Sequence, residues 1–401
     1  MAEQLAIDGG APVRTTPFPS WPIHGVREEE LLGEVLRGGE WGEITGKKVH
    51  AFARQFASFQ GARYGVCVPN GTLALELAFE ALGVGHGDEI ITSAYTFIAT
   101  AGAALTMGAK PVFVDIDPET NLIDPARIEA VTTPKTKALV PVHVGGQPAD
   151  LDAVLEIGRR HGIPVLEDAC QAWGAAWRGT PVGAIGDAGT FSFQESKNIT
   201  AGEGGILVTN DRHLFDLAWR IHDCGRPPEG SSFEHEMPGR NLRMTEWQAA
   251  ILLAQLERLS EAMSTRTRNA ARLTASLTEI SGLVAMKVDD RITSHGWHLY
   301  QMRFDPTAFG GRSRADFLTA LRAEGIPCGA GYVPLPYQKA IRNALRSRFG
   351  EEAVTGQPDV PRAAEAGEHT VLFVQTMLLG TDEDMDEIAT ACRKIQRAWS
   401  S

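Results

Sequence analysis

Cysteine is scarce in this chain, and its few thiols are scattered. Five cysteines occur in 401 residues, and no two of them form a C-x-x-C pair. This pattern supports neither a framework of disulfides nor a zinc site, so we expect no metal and expect most of the thiols to be buried. The cysteines are Cys67, Cys170, Cys224, Cys328 and Cys392.

Long apolar runs and an excess of basic charge are also missing. No stretch of about 18 apolar residues occurs, and the opening MAEQLAIDGG carries acidic residues where a secretory signal needs a basic start. The sequence therefore predicts a cytoplasmic protein with no membrane partner. A formal net charge of -12 argues against nucleic acid as a partner, because binding it needs a clustered basic surface. Any anionic ligand must be bound at a local site.

The length of the chain predicts more than one domain. A chain of 401 residues, of which 43% are hydrophobic, exceeds the size at which a single core usually stops growing. We predict an N-terminal arm over residues 1–40, a large domain over residues 41–260 and a small C-terminal domain over residues 261–401. Prolines between positions 12 and 22 favour an extended arm.

Short runs of strand-forming residues alternate with helical patterns between residues 64 and 210. This alternation predicts an α/β fold with a large, mostly parallel sheet. A long helical pattern over residues 243–277, with Thr245 as its N-cap, leads to a smaller domain that reads as α+β. The seven strands predicted for the sheet are 64–68, 89–92, 111–116, 138–144, 164–168, 189–193 and 205–209.

The end of the first predicted strand carries a candidate phosphate site. The strand runs into VPNGT, and a helical pattern begins at once at Gly71 and Thr72. A helix start offers unpaired N–H groups, glycine lets a phosphate approach the backbone, and a threonine hydroxyl adds a donor. An N-capped helix without any ligand would leave the same pattern, so the motif alone does not decide.

Two further strands end in polar groups. Asp168 closes the segment PVLED, with Gln171 following, and Ser192 closes GTFSF, with Lys197 just beyond it. In open α/β sheets, ligands bind outside the carboxyl ends of the strands. The simpler alternatives are a helix-capping aspartate and a surface lysine in a connecting loop.

Taken together, the strand ends offer a phosphate cradle, a carboxylate and an amine. Pyridoxal 5'-phosphate needs this set, because Asp168 can keep a ring nitrogen protonated and Lys197 can form a Schiff base. The side chain of Phe97, in SAYTFIAT, could stack on the cofactor ring. Its alternative is a place in the hydrophobic core.

The order of these blocks resembles that of the DegT/DnrJ/EryC1/StrS family of sugar aminotransferases, which have fold type I. The resemblance covers most of residues 41–260 and rests on three stretches. They run from WGEITGKK to VFVDID, from VLEDACQ to ILVTND, and from GRNLRMTEW to LERL. The common S-G-T loop of the family is N-G-T here, which keeps the glycine and the threonine.

The resemblance implies an aminotransferase that binds pyridoxal 5'-phosphate and works as a homodimer with shared active sites. Lys197 and Asp168 would be catalytic, and Asn241 would reach the phosphate bound by the neighbouring subunit. The implied cofactor residues are Gly71, Thr72, Phe97, Asp168, Gln171, Ser192, Lys197 and Asn241.

The substrates implied are an amino donor, glutamine or glutamate, and a ketone on a polyhydroxylated ring. Gln194 stands where many nucleotide-sugar members have His or Tyr, so the chain looks like the branch of glutamine:scyllo-inosose aminotransferases and 3-amino-5-hydroxybenzoate synthases. Tyr332 and Tyr337 are weaker candidates for substrate contacts. The candidate substrate residues of the large domain are Thr45, Gln194, His222, Arg226 and Arg243.

Four alternatives stay open at this point. The acceptor could instead be a nucleotide-linked keto-sugar. Family relatives that dehydrate a sugar have histidine in place of the lysine, so Lys197 argues against that reaction. A non-catalytic regulator that binds the cofactor lacks support from any basic patch, and a purely structural oligomer would make Asp168, Ser192 and Lys197 coincidences.

Overall fold

The computed structural model describes residues 4–229 and 233–400. Its strands are β1 (Tyr64–Val68), β2 (Glu89–Ser93), β3 (Lys110–Val114), β4 (Thr136–Val140), β5 (Leu166–Asp168), β6 (Ala176–Trp177), β7 (Thr180–Pro181), β8 (Ala188–Ser192), β9 (Gly205–Thr209), β10 (Leu283–Ala285), β11 (Ile292–Ser294), β12 (Leu299–Phe304), β13 (Gly329–Ala330) and β14 (Thr370–Val374). Its α-helices are α1 (Val26–Gly38), α2 (Lys48–Phe59), α3 (Gly71–Ala81), α4 (Ala99–Thr106), α5 (Leu151–His161), α6 (Arg212–His222), α7 (Glu246–Thr278), α8 (Arg314–Ala323), α9 (Lys339–Phe349), α10 (Glu352–Thr355), α11 (Pro361–His369) and α12 (Asp382–Trp399).

A seven-stranded sheet forms the centre of the fold. Its two parts, β1-β9-β8-β5 and β4-β2-β3, are joined by parallel bridges from Leu139 to Val165 and from Val142 to Asp168. Within the sheet, β9 pairs antiparallel with β1 and β8, and the other pairings are parallel. The prediction of a mostly parallel sheet of seven strands is confirmed, with strand ends displaced by a few residues.

Helices cover both faces of this sheet, which explains why β2, β8 and β9 are buried at every residue. Successive side chains of β9 point to opposite faces of the sheet and show which helices cover each face. Ile206 and Val208 share a hydrophobic cluster with Phe52 of α2 and Leu252 of α7. Leu207 belongs instead to the cluster that contains the side chains of α3 and α6. The carboxyl ends of β5 and β8 are thereby held side by side, with Asp168 opposite Thr190.

The C-terminal part of the chain has its own antiparallel sheet, in the order β10-β12-β14-β13. Phe304 of β12, Phe317 of α8 and Ile388 of α12 lie in one buried cluster. The prediction that the C-terminal part is α+β is therefore confirmed, with β12, α8 and α12 among its elements. The bounds of the three domains remain a prediction.

The N-terminal 40 residues are only partly extended. The prediction of an extended arm is wrong for residues 26–38, which form α1 because Leu31 and Val35 lie one helical turn apart and pack into the cluster of α2 and α7. Before this helix, Leu5 lies in the C-terminal cluster and Arg14 forms an ion pair with Asp384 at 2.5 Å. The segment therefore packs across the body of the protein.

None of the helices within the described ranges combines the length and the apolar character that crossing a bilayer requires. The expectation that most of the thiols are buried is met by two of the five. Cys67 and Cys392 are buried, whereas Cys170, Cys224 and Cys328 are half-buried.

Glu246, at the start of α7, caps the first turn of α2. Its carboxylate accepts hydrogen bonds from the backbone N–H groups of Lys47 at 3.0 Å, Lys48 at 2.8 Å and Val49 at 2.8 Å. Because this carboxylate is buried, we expect Glu246→Ala to lower the free energy of unfolding by about 2–3 kcal/mol. Urea denaturation followed by circular dichroism measures the change. Glu261→Ala, at an exposed position of the same helix, should change it by less than about 0.5 kcal/mol.

Candidate active site

A cavity of about 860 Å³ opens at the carboxyl ends of the sheet strands. Its wall contains the end of β5, the end of β8, the start of α3, the loop after β8, the start of β12 and one residue of β14. The cavity thus lies where ligands bind in open α/β sheets. The predicted cofactor residues that line it are Gly71, Thr72, Phe97, Asp168, Gln171, Ser192 and Lys197.

The start of α3 forms a concave cradle in this wall. The Asn70 side chain caps the helix by accepting a hydrogen bond from the N–H of Leu73 at 2.9 Å. Gly71 lies so close to β8 that an added Cβ atom would stand 2.7 Å from the Cβ of Ser192, so only glycine fits here. The helix start and the Ser192 hydroxyl are therefore adjacent, and Thr72 beside them is exposed. This arrangement suits an anion such as a phosphate.

Asp168 is buried at the end of β5, and its two carboxylate oxygens are both hydrogen bonded. Oδ2 accepts from the hydroxyl of Thr100 at 2.7 Å, and Oδ1 accepts from the N–H of Cys170 at 3.2 Å. Residues 169–175 contain no helix, so the alternative of a helix-capping aspartate is excluded. Its position offers a negative charge to a ligand group inside the cavity.

Gln171 lies between the sheet and the C-terminal part of the chain. Its Oε1 atom accepts a hydrogen bond from the N–H of Gly145 at 2.8 Å, and its Nε2 atom donates to the Tyr332 hydroxyl at 3.2 Å. These contacts hold the amide side chain flat against the cavity wall. They also bring Tyr332, one of the weaker candidates, into the site.

Lys197 points its amine into the cavity from the loop after β8. The side chain is half-buried, and in the described part of the chain it forms no ion pair with a carboxylate. Burial lowers the pKa of Lys197 below that of an exposed lysine, and the neighbouring Cys170 and Asp168 oppose this effect only in part. The alternative of a solvated surface lysine is excluded, and an amine of this kind is a better nucleophile at neutral pH.

The ring of Phe97 lies in the cavity wall and is 55% exposed. A core phenylalanine would be buried, so the structure excludes the alternative that this residue belongs to the hydrophobic core. An aromatic ring that faces a cavity offers a flat surface on which a planar ligand can stack.

Several predicted residues lie outside the cavity wall. Asn241 is exposed, and its backbone pairs with that of Asp223. The Asp223 carboxylate accepts hydrogen bonds from Arg226 at 3.1 Å and from Arg243 at 2.6 Å. Asn241, Arg226 and Arg243 therefore do not reach the cavity of their own chain.

Of the remaining predicted substrate residues, some line the cavity and others lie outside it. Gln194 lines the cavity, whereas Thr45 is exposed elsewhere and Tyr337 does not reach the wall. His222 is buried, and both of its ring nitrogens are engaged, one with Glu43 at 3.0 Å and one with the backbone oxygen of Trp219 at 3.2 Å. The chain therefore gives no support to a substrate contact by His222.

Sequence reasoning missed part of the wall. His298 and Leu299 at the start of β12, and Leu372 of β14, line the cavity from the C-terminal part of the chain. Thr100, the partner of Asp168, was also missed. Its place three residues after Phe97, in the first turn of α4, was a usable signal, whereas no spacing rule connects residue 298 to Lys197.

The comparison with known proteins decides the family. A profile of the DegT/DnrJ/EryC1/StrS aminotransferase family matches residues 22–391. The chain belongs to this family. It is an aminotransferase, and the resemblance seen in residues 41–260 extends over most of the sequence.

Individual family members are similar over nearly their whole length. A protein of Streptoalloteichus tenebrarius, provisionally named an L-glutamine:3-amino-2,3-dideoxy-scyllo-inosose aminotransferase, is 43% identical over 410 positions, which cover 99% of each chain. The L-glutamine:2-deoxy-scyllo-inosose aminotransferase of the same organism is 38% identical, over 99% of this chain and 98% of that protein.

Among solved structures, the crystal structure of 3-amino-5-hydroxybenzoic acid synthase superimposes with a TM-score of 0.88 at 33% identity. The match covers 95% of this chain and 99% of the synthase. The fold is thus that of the family's aminotransferases, and the α/β, fold type I architecture expected from the sequence is confirmed.

Proposed function

We propose that this aminotransferase binds pyridoxal 5'-phosphate and transfers an amino group from L-glutamine to a ketone on a cyclitol ring. The observation that carries the proposal is the arrangement of Lys197 in one cavity with the Asp168 carboxylate and the start of α3. The names of the similar proteins, which specify L-glutamine and scyllo-inosose derivatives, support the choice of donor and acceptor.

The wall of the cavity fits the proposed cofactor. The helix start at Gly71 and Thr72, with the Ser192 hydroxyl, would hold its phosphate, and Asp168 would hold its ring nitrogen in the protonated form. The exposed ring of Phe97 would stack on the pyridine, and Lys197 would bind the cofactor through Nζ. When bound, pyridoxal phosphate supplies an electron sink for the amino transfer.

Different residues of the chain would then have different roles in the reaction. Lys197, once its amine is free, moves a proton at the carbon from which the amino group leaves, and its lowered pKa favours the neutral form that this role needs. Thr100 and the N–H of Cys170 both donate hydrogen bonds to the Asp168 carboxylate, and these bonds would orient it toward the ring nitrogen. Gln171 and Tyr332 would limit the movement of the bound cofactor on the side of the cavity that the C-terminal part of the chain forms.

The polarity of the wall favours a free ring over a nucleotide-linked sugar. Gln194, Ser196, Glu203 and Tyr332 offer donors and acceptors to hydroxyl groups. In the described part of the chain the lining contains no arginine, and Lys197 is its lysine, which the cofactor would occupy. A diphosphate linker would need cationic partners, and the part of the wall that one chain builds does not supply them.

The proposal is tested with the purified protein. The purified protein should be yellow and should lose its absorbance band on addition of L-glutamine. It should recover the band on addition of scyllo-inosose or 2-deoxy-scyllo-inosose. A nucleotide-linked keto-sugar serves as the competing acceptor. A colourless protein that takes up no pyridoxal phosphate would contradict the proposal, and a yellow protein that never reacts with an amino donor would support the non-catalytic regulator.

We also propose that the protein works as a homodimer in which each subunit adds Asn241 to the site of the other. Asn241 is exposed, and so are Trp41 and Ile44, 51% and 56% respectively, on the segment that bridges to Thr245 through Gly42. Exposed apolar side chains of this size are typical of an interface.

Mixed dimers test the shared site. Lys197→Ala and Asn241→Ala chains, each inactive or weak as homodimers, should regain activity when they are unfolded together and refolded, because one site of the hybrid has both native residues. If every site were built from one chain, the activity of the mixture would be no more than the sum of the activities of the two variants.

Uptake of the cofactor should depend on pH in a defined direction. The neutral amine of Lys197 is the reactive form, so uptake by the apoprotein should accelerate as the pH rises through the pKa of Lys197. Because burial lowers this pKa, the midpoint should lie below that of an exposed lysine. Stopped-flow absorbance measures the rate. A midpoint equal to that of free lysine would mean that the amine is fully solvated.

A further inference from the structure

His298 is a buried histidine in the wall of the same cavity as Lys197. It lies directly before β12, and its backbone is fixed on both sides. Its N–H donates to the carbonyl of Gly145 at 2.9 Å, and its carbonyl accepts from the N–H of Gln375 at 3.1 Å. The backbone at His298 is therefore fixed, and no role has been assigned to this residue above.

The hydrogen bonds around the ring define its tautomer. Asn198 donates from Nδ2 to the carbonyl of Gly296 at 2.7 Å, so the oxygen of its amide faces His298. This Oδ1 atom lies 3.1 Å from Nδ1 of His298. Since an amide oxygen only accepts, Nδ1 must carry the hydrogen, and Nε2 is left as a bare acceptor.

The ring is also neutral. Burial lowers the pKa of His298 well below that of an exposed histidine, and the positive charges of Lys197 and Arg266 lower it further. A protonated ring would have to share this buried region with the Lys197 amine. His298 therefore offers a lone pair to the cavity, and among the described residues nothing donates to its Nε2.

A ligand in the cavity can donate a hydrogen bond to this lone pair. A cyclitol ring is covered with hydroxyl groups, each of which can donate a hydrogen bond. His298 lies where Leu299 and Leu372, which are apolar, join the wall, and its ring also contacts the loop of Lys197 through Asn198. Its Nε2 atom is thus an acceptor in the cavity that is available to a hydroxyl group of the second substrate.

Building on the proposed function, we propose that Nε2 of His298 accepts a hydrogen bond from a hydroxyl group of the ring ketone and thereby helps to select a polyhydroxylated acceptor. This would make His298 a specificity-determining residue of the second half of the reaction. It would have no part in the reaction with L-glutamine.

Two variants separate this role from a purely structural one. His298→Gln can place an amide oxygen near the position of Nε2 but gives up the donor to Asn198. His298→Asn can keep a donor to Asn198 at the δ position and loses the acceptor at the ε position. Both are assayed as holoenzymes, in the half-reaction with L-glutamine by absorbance and in the full reaction with 2-deoxy-scyllo-inosose.

If the proposal is right, His298→Asn raises KM for the ketone by roughly five- to tenfold, the loss of one hydrogen bond. His298→Gln should stay within about twofold of the wild type, and the glutamine half-reaction should be unchanged in both. The proposal is overturned if His298→Gln is as impaired as His298→Asn, or if the glutamine half-reaction is what slows. The latter would show that His298 acts through Asn198 on the loop of Lys197.

A crystal structure of the wild-type holoenzyme with the aminated ring bound gives a test without substitutions. A ring oxygen about 2.7–3.2 Å from Nε2 supports the proposal, and a ring with no oxygen within about 4 Å overturns it. Failure of the proposed function would look different, because the wild type would then not consume L-glutamine at all.

Discussion

Lys197→Ala should lose transamination almost completely, with kcat reduced by at least about 10⁴. The variant lacks both the amine that would hold the cofactor and the group that would move the proton, and positioned proton transfer alone is worth about 10² to 10⁴ in rate. The fold should survive, because the side chain is only half-buried and forms no ion pair in the described part of the chain. Activity is measured by product formation from L-glutamine and the ketone, and binding by the absorbance band of the holoenzyme.

Lys287→Ala is the matched control for this variant. Lys287 is an exposed lysine that pairs with Glu119 at 2.9 Å, away from the cavity, so its loss should leave kcat within about twofold of the wild type. Retention of a tenth or more of the activity in Lys197→Ala would contradict the assignment of this residue.

Asp168→Asn should show the second largest loss, about 100-fold in kcat, together with weaker binding of pyridoxal phosphate. Asparagine keeps the shape of the side chain and a carbonyl oxygen that can accept from Thr100 or Cys170, but it removes the negative charge that would keep the ring nitrogen protonated. A hydrogen bond to a charged group is worth about 1.5–3 kcal/mol, which corresponds to roughly 10- to 150-fold in rate. Single-turnover absorbance with L-glutamine measures the loss.

Thr100→Val separates the charge of Asp168 from its orientation. This variant removes the hydroxyl that donates to Oδ2 at 2.7 Å and leaves the carboxylate in place. We expect a reduction of about tenfold or less. If Thr100→Val were as inactive as Asp168→Asn, the orientation of the carboxylate would matter more than its charge.

The strands of the large sheet could be predicted because each is a short, strongly apolar run between glycine-rich or polar turns. The start of α7 could be predicted because Thr245 and the helix formers after it act locally, and the N–H of Thr245 indeed donates a hydrogen bond to Gln248 Oε1 at 3.0 Å. Residues 26–38 were misjudged, because the prolines before them suggested an extended arm while the apolar spacing of Leu31 and Val35 favoured a helix. Local sequence signals conflict over residues 26–38, and the packing of these residues against α2 and α7 decides that they form a helix.

By itself, the sequence determined the α/β class, the family, and the residues at the ends of β1, β5 and β8, since all of these are written in short contiguous blocks. Only the tertiary structure decided which of the candidate substrate residues share one cavity. It placed Gln194 and Tyr332 in the wall, left His222 paired with Glu43, and brought His298 to the side of Asn198, 100 positions away along the chain. The physical reason is that such contacts depend on how the sheets pack against each other, and no local spacing records that packing.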